Sequence, residues 1–500
     1  MLSLTPATFE EFERETARGN VVPVTRVVLA DLQTPLGAFI RVAGDAPHAF
    51  LLESIEGGER LARYSFIGAN PHMIVRARGN QTAIQRGGHE DIIDQNAIDF
   101  VRDYFRGKTL ARRHGLAPFC GGAVGYLGYD AARWFEPVLA RDGSQSSTST
   151  DAAWMFFRNI LALDRVQQQI EITSVVFVEE AAGDPQQLRG LYDRAVQETD
   201  ALAARLSELA QAPANQATLG QTTVHFQSSW PRAKFEDAVE AVKDHILAGD
   251  CYQVVIAQNF SKPTAADPLA IYRALRATNP SPYMFFLRIG SEAIVGSSPE
   301  MLVRCHGQRL DYRPIAGTRR RGATEAEDWM LGEEMRHDEK EVAEHTMLVD
   351  LGRNDLGRVS DYGSVKVDEL MKVERYSHVQ HLVTSLRSRL RDNLDRFDAL
   401  ASCFPAGTVT GAPKIRAMQI IDELEPVKRG IYAGAILYVD YTGNLDSCIA
   451  IRTIHLHDGV ATVQAGAGIV ADSVPASEYE ECVNKARALF RAIEMAERGL

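Results

Sequence analysis

The sequence predicts an α+β fold in which large antiparallel β-sheets carry helices on one face. Short β-branched runs separated by turn residues fill much of the first 178 residues. A long helical pattern follows, and helices and strands then alternate irregularly to the C-terminus. With 45% hydrophobic and 24% charged residues, the 500-residue chain has the composition of a globular protein with a large core.

The elements in chain order indicate two domains. Strand-like patterns occur at residues 25–43, 49–55, 74–78, 83–86, 160–164 and 170–178. Residues 184–212 repeat apolar side chains at helical spacing, and a polar stretch then breaks the pattern. We therefore predict an N-terminal lobe over residues 1–212, a linker over 213–224 and a second domain over 225–495.

The second domain begins with a clear pair of elements. Residues 235–250 form an amphipathic pattern that closes on Gly249, and a strand-like run follows at 252–260. We find no internal repeat, so the irregular alternation that follows favours α+β over a solenoid.

Charge and composition exclude several function classes. Lys and Arg number 54 and Asp and Glu 66, which gives a net charge of −12 and no overall attraction to nucleic acid or membrane. The acidic N-terminus does not resemble a signal peptide, and no run approaches ~18 apolar residues, so we expect a cytoplasmic protein. Six scattered cysteines indicate reduced, mostly structural thiols.

Two acid-rich helices are candidates for metal binding. In the first, Glu341 and Glu344 share one helical side with His345 and Leu348. The second is predicted to begin at Ser477 with a capping box, and its polar edge carries Glu478, Glu481 and Lys485. Carboxylates three residues apart on two helices fit a shared Mg²⁺ site. Solvated helix faces with ordinary intrahelical ion pairs fit the same pattern, and the residues alone leave both readings open.

Three glycine-rich turns, at residues 314–318, 404–414 and 463–473, are candidates for anion binding. Glycine lets backbone N–H groups approach a carboxylate or phosphate closely. No turn satisfies a nucleotide-binding motif, and ordinary tight turns remain an alternative for each.

Isolated polar residues give weaker signals. Arg452 lies in an apolar, β-branched run, so its guanidinium needs an anionic partner, either a ligand carboxylate or a structural ion pair. His378 and His381 form an H-x-x-H pair without a third ligand nearby, which disfavours zinc. The run Arg319 to Arg321 is more typical of a solvated basic turn than of a phosphate site.

Nine segments together carry a resemblance to a known family. They are LLES (51–54), RYSFIG (63–68), GDCYQVVIAQ (249–258), NPSPYM (279–284), SSPE (297–300), PIAGTRRRG (314–322), DEKEVAEHTMLVDLGRND (338–355), GTVTGAPKIRAMQII (407–421) and QAGAGIVADSVPASEYEECVNKA (464–486). In combination they resemble the chorismate-utilising enzymes, and among these the anthranilate synthase component I family. The resemblance implies the same α+β fold, a chorismate-binding catalytic domain from about residue 225, and an N-terminal lobe that contacts inhibitor and partner.

The resemblance also implies a binding site for a dianionic substrate. Glu344 and Glu481 are similar to the family's Mg²⁺ ligands, with Glu341 and Glu478 close by, and the metal would meet the ring carboxylate of chorismate. Eight further residues match the positions that touch the ring or receive the enolpyruvyl carboxylate: Gly317, Thr318, Tyr432, Arg452, Gly466, Ala467, Gly468 and Lys485.

Catalytic roles come from the resemblance alone. Glu300 is similar to the general acid that protonates the departing C4 hydroxyl while ammonia adds at C2. His381 matches the position associated with loss of pyruvate, and we group Gln253 and Thr408 with these two as candidate catalytic residues. Without the resemblance, Glu300 and His381 would be interpreted as ordinary strand-end and core residues.

Two positions favour one member of the family. Relatives that make 4-amino-4-deoxychorismate commonly carry a nucleophilic Lys where this chain has Ala316. Relatives that add water at C2 carry a Lys base where this chain has Gln253, and an amide is a poor base. We therefore expect an Mg²⁺-dependent lyase that makes anthranilate, the first committed step of tryptophan synthesis. The alternatives are an aminodeoxyisochorismate or aminodeoxychorismate synthase, or a non-catalytic tryptophan-sensing subunit.

Partner and regulation follow from the same resemblance. No cysteine has the glycine-flanked setting of a glutaminase nucleophile, so we expect a separate glutamine amidotransferase subunit in a heterotetramer. Ser54 and the run Pro282, Tyr283, Met284 resemble the two sides of the family's tryptophan site. Feedback inhibition by L-tryptophan is the corresponding expectation.

Overall fold

The computed structural model describes residues 3–55, 63–139, 150–208, 226–376 and 379–499. The α-helices in these ranges are α1 (Phe9–Glu15), α2 (Pro35–Ala43), α3 (Ala97–Phe105), α4 (Pro185–Ser207), α5 (Arg232–Leu247), α6 (Pro268–Thr278), α7 (Glu325–His337), α8 (Glu339–Gly357), α9 (Arg396–Cys403), α10 (Lys414–Leu424) and α11 (Pro475–Glu497). None of these helices has the length and apolar character required to cross a membrane. The linker predicted at 213–224 lies outside the described residues.

The strands form two large sheets. In chain order they are β1 (Ser3–Thr5), β2 (Val21–Leu29), β3 (His48–Glu53), β4 (Tyr64–Ala69), β5 (Met73–Arg78), β6 (Gln81–Arg86), β7 (His89–Asp94), β8 (Gly122–Leu127), β9 (Ala152–Phe157), β10 (Asn159–Asp164), β11 (Gln169–Phe177), β12 (Gln227–Ser228), β13 (Gln253–Pro263), β14 (Tyr283–Ile289), β15 (Glu292–Ser298), β16 (Met301–His306), β17 (Arg309–Tyr312), β18 (Ile315–Arg320), β19 (Lys366–Arg375), β20 (Val379–Arg389), β21 (Gly411–Ala412), β22 (Ala435–Asp440), β23 (Leu445–Ile449), β24 (Thr453–His457) and β25 (Val460–Ile469).

Both sheets draw strands from both predicted domains. The first sheet has the order β1-β2-β11-β10-β4-β3-β14-β15-β24-β25-β13-β12, with β21 also paired to β13. The second has the order β18-β20-β17-β16-β23-β22-β8-β9-β5-β6-β7, with β19 paired to β20. The two regions join where β3 pairs antiparallel with β14 and where β8 pairs antiparallel with β22.

Alternating side chains divide the core into layers. On β14, Met284 and Phe286 face one cluster together with helices α2, α6 and α11, whereas Phe285 and Leu287 face an aromatic layer shared by both sheets. In that layer the ring centres of Phe119 and Tyr438 lie 4.5 Å apart. Helices α3 and α9 cover the other side of the second sheet, whereas α10 packs against β13 and β21 of the first. The prediction of antiparallel sheets with helices packed outside is confirmed.

Four local predictions were wrong. Residues 315–318 and 463–469, which were predicted to lie in glycine-rich turns, belong to strands β18 and β25. The strand-rich interpretation of residues 25–43 fails at Pro35–Ala43, which is a helix because Thr34 caps it through the N–H of Gly37 and Pro35 fixes its first turn. The last helix starts at Pro475 rather than at a capping box on Ser477, since a proline at the first helical position extends it two residues further.

Candidate active site

A cleft of about 1330 Å³ opens between the two sheets and helices α8 and α11. Strands β13 and β25 of the first sheet and β18 and β20 of the second contribute to its walls. All but one of the residues predicted to catalyse, to bind substrate or to bind metal line this cleft: Gln253, Glu300, Gly317, Thr318, Glu341, Glu344, His381, Thr408, Tyr432, Arg452, Gly466, Gly468, Glu478, Glu481 and Lys485.

Glu300 lies deep in the cleft, between β15 and β16. Only 6% of the residue is exposed, and its backbone carbonyl accepts a hydrogen bond from the N–H of Ile449 on the neighbouring strand. Burial raises the pKa of the Glu300 carboxyl to about 8, and the neighbouring Thr408 hydroxyl offsets part of that rise. At neutral pH the side chain is therefore a carboxylic acid that can donate a proton.

His381 reaches the same cleft from β20. Its Nδ1 atom lies 2.8 Å from the carbonyl oxygen of Gly317 and 3.2 Å from the hydroxyl of Thr318. Because a carbonyl can only accept, Nδ1 carries the proton of the neutral ring and Nε2 is left as an acceptor. Burial lowers the pKa of His381, which favours that neutral form.

Four carboxylates face the cleft from the two acid-rich helices, Glu341 and Glu344 on α8 and Glu478 and Glu481 on α11. Burial raises the pKa of Glu344, and repulsion from Glu341 and Glu481 raises it further. Burial and repulsion from Glu481 also raise the pKa of Glu478. A bound cation would relieve the repulsion between these partly buried carboxylates, and Mg²⁺ prefers oxygen ligands. These residues therefore fit the predicted Mg²⁺. Within the described ranges, no three such side chains already lie close enough together to hold a metal ion.

Some of this negative charge is met by neighbouring cations. Arg319 donates to Glu341 at 2.7 Å and to Asp338 at 2.9 Å. Lys485 pairs with Glu481 at 2.7 Å. The three consecutive arginines at 319–321 pair with carboxylates on α7 and α8 and at the junction between them, and the Arg320 side chain remains exposed.

Two cationic side chains, Arg452 and Lys485, also line the cleft. Arg452 donates to the backbone carbonyl of Lys485 at 2.8 Å, and the Lys485 ammonium lies 3.0 Å from the carbonyl of Gly466. Burial lowers the pKa of the Arg452 guanidinium. The structural ion pair offered as an alternative for Arg452 does not occur among the described side chains, which leaves its charge for a ligand anion.

Glycine is required at three positions around the cleft. Gly317 has φ +69°, and a Cβ there would lie 3.0 Å from a Glu341 oxygen. A Cβ at Gly466 would lie 2.9 Å from the Tyr432 hydroxyl, and one at Gly468 would lie 2.3 Å from Nε2 of Gln253. Because glycine has no side chain, each of these polar groups can lie close to the glycine backbone.

Ala467 is the exception among the predicted residues, and Gln464 is a residue that the prediction missed. Alternate residues on β25 face opposite sides, so the Ala467 side chain packs in the core while Gln464, Gly466 and Gly468 face the cleft. The Gln464 amide oxygen is buried without a hydrogen bond among the described residues. The two-residue spacing from Gly466 was a signal that could have identified it.

Of the two histidines in the H-x-x-H motif, only His381 can be placed, and it lines the cleft. His378 lies outside the described residues, so its predicted absence from a zinc site stays untested. His381 has the contacts given above, and it belongs to no group of three metal-ligating side chains among the described residues.

A second cavity, of about 540 Å³, contains all four residues predicted to bind inhibitor: Ser54, Pro282, Tyr283 and Met284. It is lined from both predicted domains. Its floor includes a buried network in which Arg304 donates to Asp446 at 2.8 Å and to the Tyr283 hydroxyl at 3.2 Å. Strand β16 carries Arg304 and begins one residue after Glu300, so the two cavities are lined by neighbouring parts of one continuous segment.

Similarity to known proteins agrees with this geometry. Residues 47–491 match the family model for chorismate binding enzymes. Anthranilate synthase component 1 from Acetivibrio thermocellus is 46% identical, covering 95% of this chain and 96% of that protein, and its counterpart from Pseudomonas aeruginosa is 44% identical, covering 98% and 99%. The structure of anthranilate synthase component I from Streptococcus pneumoniae superposes with a TM-score of 0.75 at 35% identity, covering 92% of this chain and 98% of that one.

A more distant structure shares the fold. The menaquinone-specific isochorismate synthase from Escherichia coli superposes with a TM-score of 0.68 at 22% identity over 98% of this chain and 99% of its own. Family membership is shown by the match of residues 47–491 to the family model and by the relatives that are 44% and 46% identical. The chain belongs to the chorismate binding enzymes and, within them, to the anthranilate synthase component I family.

Proposed function

We propose that this chain converts chorismate and ammonia into anthranilate, pyruvate and water, as the chorismate-consuming subunit of an anthranilate synthase. One observation carries the proposal: a buried carboxylic acid, Glu300, and a ring nitrogen acceptor on His381 face the same cleft. An acid and a base held apart in one site match the two proton transfers that the reaction needs.

In the first step, Glu300 donates its proton to the C4 hydroxyl. The nitrogen of ammonia forms a bond to C2, the ring double bonds shift, the C4–O bond breaks and water leaves. The added nitrogen then loses a proton. Burial raises the pKa of Glu300 to about 8, so the side chain is protonated at neutral pH and is available as an acid.

In the second step, His381 acts as the base. Nε2 accepts the proton from C2, the C3–O bond breaks and the ring becomes aromatic as enolpyruvate leaves and is protonated to pyruvate. The hydrogen bond from Nδ1 to Gly317 supports this role because it fixes the tautomer in which Nε2 has a free electron pair.

The charge distribution of the cleft supports a dianionic substrate. Arg452 and Lys485 can meet the enolpyruvyl carboxylate, as can backbone N–H groups near Gly466. Beside Lys485, on helices α8 and α11, Glu344 and Glu481 would hold Mg²⁺ with Glu341 and Glu478 close by. When bound there, Mg²⁺ supplies the positive charge that the ring carboxylate needs.

A separate glutaminase subunit is the proposed source of ammonia. A glutaminase requires a cysteine thiolate, and all six cysteines of this chain are buried. Burial raises the pKa of every one of these thiols, to about 12 for Cys120, the cysteine closest to a glutaminase-like sequence setting. No cysteine here can therefore supply that nucleophile.

We further propose that tryptophan binds in the second cavity and inhibits the enzyme, which places the chain at the first committed step of tryptophan synthesis. The cavity volume of about 540 Å³ is typical of a site for a small ligand. Its lining combines apolar rings, such as Tyr64 and Pro282, with the charged side chains of Arg63 and Asp446. That combination suits an amino acid with an aromatic side chain.

The direct test uses the purified chain with chorismate and ammonium salt at alkaline pH, with and without Mg²⁺, and with glutamine as an alternative nitrogen source. We expect anthranilate fluorescence and an equal amount of pyruvate with ammonia and Mg²⁺, and neither with glutamine. Adding the glutaminase partner should make glutamine effective.

Other outcomes would contradict the proposal. Chorismate consumed without pyruvate would indicate an enzyme that stops at aminodeoxyisochorismate, or one that makes aminodeoxychorismate. No consumption under any condition would favour a non-catalytic, tryptophan-sensing subunit.

A further inference from the structure

Strand β13 has a gap along one edge, next to the cleft. On one side it pairs with β25 from Val254 to Pro263. On the other side it pairs only with β21, at residues 253–254, and with β12, at residues 260–261. The backbone between these two short strands needs other hydrogen-bond partners, because buried N–H and C=O groups are costly to leave unpaired.

An ion pair between Arg429 and Glu425 fills this gap. Glu425 accepts a hydrogen bond from the N–H of Ala257 at 2.8 Å, and Arg429 donates to the carbonyl of Val255 at 2.7 Å. The two side chains meet at 2.6 Å, and only 2% of the arginine side chain and 6% of the glutamate side chain are exposed. Together they satisfy the donor and the acceptor that a neighbouring strand would otherwise satisfy.

The same guanidinium also contacts two other walls of the cleft. Arg429 donates to the carbonyl of Val409 at 2.7 Å, and Val409 follows Thr408, the residue beside Glu300. The guanidinium carbon lies 5.6 Å from the centre of the Tyr432 ring. Arg429 does not line the cleft itself, yet it contacts three residues that do: Val255, Val409 and Tyr432.

A second buried ion pair on β13 offers a comparison. Lys262 pairs with Glu497 at 2.6 Å, with 7% and 30% of the two side chains exposed. This pair lies at the far end of the strand, and neither residue lines the cleft. Replacing Lys262 removes a buried charge from the same strand without touching the cleft walls.

We propose that Arg429 is a positioning residue for catalysis, which fixes β13, the Thr408–Val409 turn and Tyr432 relative to one another around the reacting groups. The proposal goes beyond the proposed function but assumes that this cleft is the active site. Cleft walls that are held in place favour turnover, because small displacements of the reacting groups strongly reduce the rate of the chemical step.

The test compares Arg429→Met, Arg429→Lys and the control Lys262→Met in the ammonia-dependent assay, at constant free ammonia across a pH range. Thermal unfolding is measured in parallel. For Arg429→Met we expect kcat to fall at least tenfold while KM for chorismate changes less than threefold, because Arg452 and Lys485 keep their own contacts. Arg429→Lys keeps the charge beside Glu425 but cannot reach both carbonyls, so its kcat should be intermediate.

The pH profile adds a readout that loss of stability alone would not change. Water admitted through the loosened wall would lower the pKa of Glu300, so the basic limb of the profile should move to lower pH in both Arg429 variants. Lys262→Met should unfold at a lower temperature but keep the wild-type kcat and pH profile.

The possible results separate the hypotheses. Wild-type kcat and an unchanged pH profile in both Arg429 variants would overturn the inference, even if their unfolding temperatures fell. If Arg429→Met does not accumulate as folded protein, the same criteria apply to Arg429→Lys. Absence of anthranilate with the wild-type chain would instead count against the proposed function.

Discussion

The Nδ1 atom of His381 and the carbonyl oxygen of Gly317 lie 2.8 Å apart, and this hydrogen bond links the candidate base on β20 to the cleft-lining backbone of β18. Gly317 adopts φ +69°, which few residues other than glycine tolerate. The backbone conformation at Gly317 and the tautomer of His381 therefore depend on each other.

The first prediction concerns the base. In His381→Asn the amide nitrogen can still donate to Gly317, but no basic nitrogen remains at the Nε2 position. Chorismate consumption should continue while pyruvate formation falls at least about 100-fold, as is typical when a general base is lost. Absorbance at a chorismate-specific wavelength and a coupled pyruvate assay would measure the two rates. Equal losses in both would show that His381 does not act selectively in the second step.

The second prediction concerns the acid. Because burial raises the pKa of Glu300 to about 8, its protonated, active form is present below that pH and is lost above it. At constant free ammonia the rate should fall as the pH rises through about 8. Glu300→Gln should lower chorismate consumption at least about 100-fold at every pH, since an amide cannot transfer the proton. A wild-type profile that stays flat to pH 10 would argue against this assignment.

The third prediction concerns the metal. Glu344→Gln removes one carboxylate from the proposed set, so we expect Mn²⁺ binding, followed by electron paramagnetic resonance, to weaken at least tenfold. Chelation of metal from the wild-type chain should abolish anthranilate formation, and Mg²⁺ should restore it. Glu339→Gln, on the exposed side of the same helix, is the matched control and should bind Mn²⁺ normally. Equal affinities in all three proteins would contradict the proposed ligands.

The fourth prediction tests the close approach on β25. In Gly468→Ala the new methyl group would lie 2.3 Å from the Gln253 amide nitrogen, so this side chain must move. We expect kcat/KM for chorismate to fall at least tenfold with a modest loss of thermal stability. Gly357→Ala adds a methyl group where there is no atom within 4 Å, and it should leave kcat/KM unchanged.

The fifth prediction concerns regulation. Ser54→Phe would fill part of the 540 Å³ cavity, so inhibition by tryptophan should weaken at least tenfold while kcat without tryptophan stays within twofold of wild type. Val138→Phe, at an exposed position of the same lobe, should keep full sensitivity. A Ser54→Phe enzyme with wild-type tryptophan inhibition would place the inhibitor elsewhere.

Local patterns predicted much of the fold and part of the site. Periodicity identified the acid-rich helices α8 and α11 because each signal lies within one segment, whereas residues 463–469, predicted to lie in a turn, form part of strand β25. It could not show that α8 and α11, more than 100 residues apart in the chain, meet at one cleft. That meeting depends on long-range strand pairing, which leaves no local trace.

Glu300 and His381 show the same limit more sharply. A glutamate after a proline and a histidine in an apolar strand are ordinary in isolation. The chemistry of Glu300 comes from its burial, and that of His381 from a partner 64 residues away. Only the family resemblance identified these two residues from the sequence. The Ser477 capping box was wrong for a different reason, since Pro475 competes for the start of the same helix.

The pairing of β3 with β14 and of β8 with β22 constrains how this chain can evolve. The N-terminal lobe is not a module that recombination can exchange freely, because each half without the other would expose two open strand edges and the aromatic layer between the sheets. A chimera of two relatives should be soluble only if the donor lobe fits the recipient at both strand pairings, β3 with β14 and β8 with β22. Substitutions in the N-terminal lobe that alter these pairings therefore require matching substitutions in the second domain.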